Sequence, residues 1–163
     1  MKKKLGMLVA MFALFNTSAL ADSFGVRLGY PLGVQYTSGE SFRIAGYVSP
    51  FFGLGLGVQG DLILGSIKKV GGVDELNAYY GAGVHAGYYT YSFGSVYSYS
   101  YVNVGAQGTG WLEYSLTPTL SVFLDASLGI DYGIPLGITG VYTGAYGGLN
   151  GYYGGALGLN FKL

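Results

Sequence analysis

The sequence contains no cysteine, and only 10% of its 163 residues are charged. The first absence excludes a disulfide framework, a thiolate zinc site and a thiol nucleophile. The second argues against the solvated surface of an ordinary enzyme, where about 25% of residues are charged. A sustained 3.6-residue apolar period is also missing, so no amphipathic helix is expected. What is abundant is glycine, at 31 residues, and aromatic side chains, at 17%. Half of the chain is hydrophobic, which opposes disorder. The glycines keep no three-residue period, which excludes a collagen-like helix.

The N-terminus reads as an export signal. Lys2, Lys3 and Lys4 form a charged head, Leu5 to Phe15 an apolar stretch, and Ala19-Leu20-Ala21 a small-x-small cleavage site. The apolar stretch is too short to span a bilayer, which needs about 20 residues. Residues 1–21 are therefore expected to be removed, leaving 22–163 as one domain. That mature part keeps five basic and eight acidic residues, a net charge of −3. It carries no basic footprint for nucleic acid.

The remaining chain alternates with period two. From Leu120 to Tyr132 the even positions are Leu120, Val122, Leu124, Ala126, Leu128, Ile130 and Tyr132. The odd ones are Ser121, Phe123, Asp125, Ser127, Gly129 and Asp131. The same split recurs in 52–65, 77–89, 102–116 and 153–163, and over shorter spans near 24–30 and 42–48. Such alternation marks half-buried strands.

The less apolar face decides which side is inside. A soluble surface would be rich in Lys, Glu, Asp and Arg, but this face carries mostly glycine, single Ser, Thr, Asn and Gln, and one or two charges per strand. Small groups suit the crowded interior of a narrow barrel, and large aliphatics suit lipid. The expected fold is an all-β, transmembrane, antiparallel up-and-down barrel of eight strands. The strands are placed at 23–30, 32–37, 41–48, 51–66, 76–92, 96–116, 119–133 and 151–163. Pro31 separates the first two, since it cannot donate to a ladder. Periplasmic turns fall at Ser38-Gly39-Glu40, Lys68 to Glu75 and Thr117-Pro118-Thr119.

Two stretches carry a family likeness: Glu-Tyr-Ser-Leu-Thr-Pro-Thr-Leu-Ser-Val-Phe-Leu-Asp, from Glu113 to Asp125, and the closing Ala-Leu-Gly-Leu-Asn-Phe-Lys-Leu. With these the mature chain resembles the small eight-stranded outer-membrane barrels, the class of the outer membrane protein A transmembrane domain. The resemblance implies placement in a bacterial outer membrane, contact with its lipid, and recognition of the last strand by the barrel-assembly machinery. Family members often finish on an aromatic; here Leu163 is last and the aromatic is Phe161. The class specifies architecture far better than function.

Lumen-facing charges are expected at Arg27, Arg43, Asp61, Glu113, Asp125, Asp131 and Lys162. An isolated charge in a narrow interior is costly, so mutual pairing into a plug is expected. The alternative is a narrow, low-conductance pore that uses these charges to gate ions. His85 and Trp111 face inward on the same register. A lone histidine makes a poor metal site, and no nucleophile elbow is present. Neither an enzyme nor a cofactor is expected, and Gly53-x-Gly55-x-Gly57 is no phosphate cradle because no helix pattern follows it.

Tyr88 to Tyr101 is the most distinctive stretch. A hairpin centred on Ser95 sets Phe93 opposite Tyr97, Tyr91 opposite Tyr99 and Tyr89 opposite Tyr101, an aromatic ladder on one face. Tyr, Ser and Gly together suit a contact surface for an extracellular ligand, and the loop 133–150 with Tyr142 and Tyr146 extends it. The role expected is structural or interactive at the cell surface, as a monomer. A secreted fibre subunit is disfavoured by the lack of a repeat period.

Overall fold

A computed structural model describes residues 22–49, 54–93, 97–139 and 147–163. The expected export signal, the tip of the tyrosine hairpin and the loop bearing Tyr142 and Tyr146 lie outside them. The described chain is all-β. Its strands are β1 (Ser23–Tyr30), β2 (Leu32–Ser38), β3 (Phe42–Ser49), β4 (Leu54–Ile67), β5 (Leu76–Phe93), β6 (Tyr97–Ser115), β7 (Leu120–Thr139) and β8 (Gly148–Lys162). They form one closed up-and-down barrel. Each pairs antiparallel with its neighbour, and β1 closes on β8 from Ser23↔Lys162 to Tyr30↔Gly155. Closure leaves no unpaired sheet edge, the hazard of open sheets.

The alternation accounts for both faces. Arg27, Arg43, Asp61, Asp125, Gln59 and Gln107 are buried inside. Leu128 and Val84, by contrast, are 71% and 65% exposed on the outside. The single-residue break at Pro31 holds, and the expected count of eight strands stands. Turns at Gly39 to Ser41, around the short 3₁₀ turn Val70–Gly72 and at Leu116 to Thr119 lie at the end that also holds Ser23 and Lys162. This is called the turn end below, and the opposite end the loop end.

Two bulges adjust the ladder. One lies between Ile63 and Gly65 opposite β5. The other lies between Ser100 and Tyr101, where Pro135 faces Tyr101. Proline has no N–H to give the ladder, so a bulge is where a strand tolerates it. Beyond that bulge β7 continues to Thr139 and β8 begins at Gly148, which corrects the expected strand limits at 133 and 151.

The interior is not uniformly small, as the alternation alone implied. Phe123, Tyr47 and Trp111 are buried there. Glycines act as their sockets. A Cβ at Gly158 would strike the Phe123 ring, and one at Gly57 the Tyr47 ring. A Cβ at Gly55 would lie 2.6 Å from the Tyr89 ring. Inward glycines thus match particular large side chains on neighbouring strands, in addition to allowing curvature.

Gly129 and Gly46 give a paired test. A Cβ at Gly129 would meet the β6 backbone at Ala106 O and lie 2.8 Å from Gln107 Cα, whereas at Gly46 it meets nothing within 4 Å. Gly129→Ala is expected to destabilise the folded barrel by about 1–3 kcal/mol, read as a lower urea midpoint. Gly46→Ala is expected to leave it unchanged or raise it slightly, since glycine weakens a strand.

Candidate functional site

The sequence places at least one polar or charged inward residue on every strand, and the closed register brings them together. Arg43 on β3 is the hub. Its Nε and Nη2 donate to Asp61 Oδ2 on β4 at 3.2 and 3.0 Å. Its Nη1 donates to Asp125 Oδ2 on β7 at 2.9 Å, and Nη2 also to Thr109 Oγ1 on β6 at 2.9 Å. The guanidinium lies 4.4 Å from the centre of the Trp111 ring, a cation–π contact. Arg27 on β1 reaches the same Asp125 carboxylate at 2.9 Å.

Amides extend the net to the other strands. Arg27 Nη1 donates to Gln35 Oε1 on β2 at 3.2 Å, and Gln35 Nε2 donates to Asn160 Oδ1 on β8 at 2.9 Å. Gln59 Nε2 and Gln107 Nε2 donate to Asp61 at 3.0 and 2.7 Å. His85 Nδ1 on β5 lies 3.1 Å from Gln107 Oε1. Since the Gln107 amide nitrogen is spent on Asp61, its oxygen faces His85 and Nδ1 must carry the proton. The resulting chain of contacts touches all eight strands.

Of the seven charges expected in the lumen, four pair: Arg27, Arg43, Asp61 and Asp125. The other three correct the expectation of mutual pairing. Glu113 accepts from Ser121 Oγ at 2.5 Å, and Lys162 donates to Ser115 Oγ at 3.2 Å. Asp131 accepts from Asn103 Nδ2 at 2.8 Å, with His85 Nε2 3.8 Å away. They sit nearer the two ends, where neutral hydroxyl and amide groups partner them. Trp111 is buried and stacks on Tyr79 at 5.1 Å between centroids. Reading only formal charges missed Gln35, Gln59, Gln107, Asn103 and Asn160. Their signal was present, because they share the inward parity of the charges.

The aromatic hairpin pairs in the expected register, Phe93↔Tyr97, Tyr91↔Tyr99 and Tyr89↔Tyr101. Tyr89 stacks on Tyr101 at 5.1 Å, and Tyr91 on Tyr101 at 6.0 Å and on Tyr99 at 6.3 Å. One residue departs from the expected contact surface. Tyr89 is buried inside the barrel, because its strand still pairs with β4 there, at Gly55. Tyr91, Tyr99 and Tyr101 are half-buried above it. The side chains of Phe93 and Tyr97 lie outside the description.

Two cavities flank the ion-pair net. One of about 230 Å³ at the loop end is lined by Tyr89, Tyr101, Asn103, Asp131, Asn150 and Tyr152, among others. One of about 220 Å³ at the turn end is lined by Tyr79, Trp111, Glu113 and Lys162, among others. At the turn-end rim, Lys68 bridges Glu40 and donates to Tyr79 Oη at 3.3 Å. The Lys68 hydrogen bond holds the Glu40 carboxyl below its usual range. Any stability it adds is present above the ordinary carboxylate range and lost as pH falls, and its exposure keeps that contribution small. Among the described residues no three His, Asp or Glu side chains converge as metal ligands do.

No protein-family model, curated protein or solved structure matches this chain. Fold and site together define a closed eight-stranded barrel with a charged, hydrogen-bonded interior and an apolar exterior.

The network predicts unequal effects at its two arginines. Arg43→Met strips both Asp61 and Asp125 of a partner and is expected to destabilise the barrel by about 3–5 kcal/mol, as breaking a buried pair does. Arg27→Met leaves Asp125 paired with Arg43 and is expected to cost less. Urea unfolding of the two variants, followed by Trp111 fluorescence, reads the difference.

Proposed function

We propose that this chain is a small outer-membrane β-barrel of the outer membrane protein A transmembrane-domain class. In this reading it is exported by a cleaved signal peptide and seated in lipid as a monomer, with a structural or contact role at the cell surface. The observation that carries the reading is the inverted distribution of polarity. Leu54, Leu56, Val58, Leu62, Val84, Leu124, Leu128, Ile130 and Leu157 are all exposed, while arginines and aspartates are buried. Soluble monomers rarely expose an apolar patch larger than a few hundred Å²; a belt of this kind is what a lipid solvent accepts.

Aromatics bound the belt. Phe24, Phe161 and Tyr114 are exposed toward the turn end, and Tyr88, Tyr132 and Tyr153 toward the loop end. Phe161 and Tyr153 lie about 27 Å apart along β8 at ~3.4 Å per residue. Tilt reduces this to about 20 Å, close to the apolar band of about 25 Å between aromatic girdles. Beyond Leu54↔Thr90 the β5–β6 hairpin continues for three further pairs. Tyr91 and Tyr99 lie on this stretch of the hairpin, which supports a contact role at the cell surface. The ion-pair net across the lumen supports a plug over a conduit.

Gel migration of the protein extracted from isolated outer membranes tests this. A compact band that shifts on boiling, with no current steps in planar bilayers, is the expected result. Recovery in the soluble or secreted fraction without a heat shift would overturn the membrane assignment, and steady unitary currents would overturn the plug.

A further inference from the structure

The loop-end cavity has an unusual electrostatic character: the side chains at its floor offer acceptors. Asp131 lines it, and among the described residues no Lys or Arg pairs with that carboxylate. Both lumen arginines are committed deeper down, to Asp61 and Asp125. Asn103 also lines the cavity and is 4% exposed. Its Nδ2 donates to Asp131 Oδ2 at 2.8 Å, which fixes the amide orientation because a carboxylate only accepts. Asn103 Oδ1 is then a buried acceptor with no partner. Behind them His85 Nε2 is buried and unpartnered, 3.8 Å from Asp131 Oδ2.

A carboxylate without a cationic partner and an unpartnered amide oxygen together call for a cation bearing several N–H groups. An alkylammonium has three donors and one positive charge. Aromatic faces complete the setting. Tyr152 lies over the His85 ring at 4.0 Å between centroids, and Tyr89 and Tyr101 line the wall. Such faces attract cations, and the cavity's ~230 Å³ accommodates a small organic molecule. We propose that the loop-end cavity is a binding site for a small primary ammonium compound, held by Asp131 and Asn103 beside Tyr152. The ligand is a free ammonium ion and not a bilayer headgroup, since the continuous barrel wall separates these side chains from the outer face. This assignment rests on the barrel interior and not on the membrane location, so the two fail separately.

The test uses the full barrel, its fold verified by β-sheet circular dichroism, and calorimetric titration with n-butylammonium, n-butanol and butyrate. The expected result is saturable binding of butylammonium alone, weakened at least tenfold in Asp131→Asn and restored toward wild type in Asp131→Glu. Tyr152→Leu, which stays apolar but removes the aromatic face, should weaken it several-fold with the circular dichroism unchanged. Equal binding of butanol and butylammonium would overturn the proposal, as would undiminished binding by folded Asp131→Asn or no butylammonium binding by the wild type.

Discussion

The structure turns on one requirement: Arg43, with no exposed surface, must find its partners inside a ring of eight strands. Its guanidinium satisfies carboxylates from β4 and β7 and a hydroxyl from β6 at once. No pair of adjacent strands could supply all three, so the contact exists only when the barrel is closed. A one-residue slip of any strand would turn its inward set outward, carrying Asp61 or Asp125 into the apolar belt. A buried ion pair adds little stability over well-packed apolar groups, yet breaking one is expensive. The net therefore acts chiefly on register: it penalises every closure but one.

Glycine makes room for that arrangement. A Cβ at Gly83 would collide with the Asp61 carboxylate, and one at Gly105 would lie 2.7 Å from the His85 ring. The interior of a narrow barrel holds large, functional side chains only because their cross-strand neighbours hold none. The glycine content is thus the counterpart of the buried arginines, histidine and aromatics. On the outer face no cross-strand side chain needs such room, and a Cβ at Gly46 or Gly60 would meet nothing.

Strand positions, inward parity and the aromatic pairing were legible in the sequence because period-two alternation is local and survives without knowledge of neighbours. Leu120 to Tyr132 suffices to tell which side Asp125 faces. The hairpin register around Ser95 follows from symmetry about one turn. What was not legible depends on which strands meet in space. That Arg27 and Arg43 share Asp125, while Asp131 and Glu113 take neutral partners, follows from closure and stagger. The bulge at Tyr101 and Pro135 lengthens β7 in a way no alternation count reveals. Tyr89 illustrates the limit well: its sequence context matches that of Tyr91, and only its pairing with Gly55 of β4 shows it to be an interior residue.

The central claim is that polarity is inverted, with lipid against the apolar face and charge within. The absence of cysteine makes single-site labelling direct. Nitroxides introduced one at a time from Leu120 to Ile130 in the lipid-reconstituted protein would report collision with oxygen, which concentrates in lipid, and with a water-soluble nickel complex. The account predicts high oxygen accessibility at Val122, Leu124, Ala126 and Leu128, alternating with low accessibility to both reagents at Phe123, Asp125 and Ser127. Nickel accessibility at the even positions, with the odd ones shielded, would place water against the apolar face and contradict it.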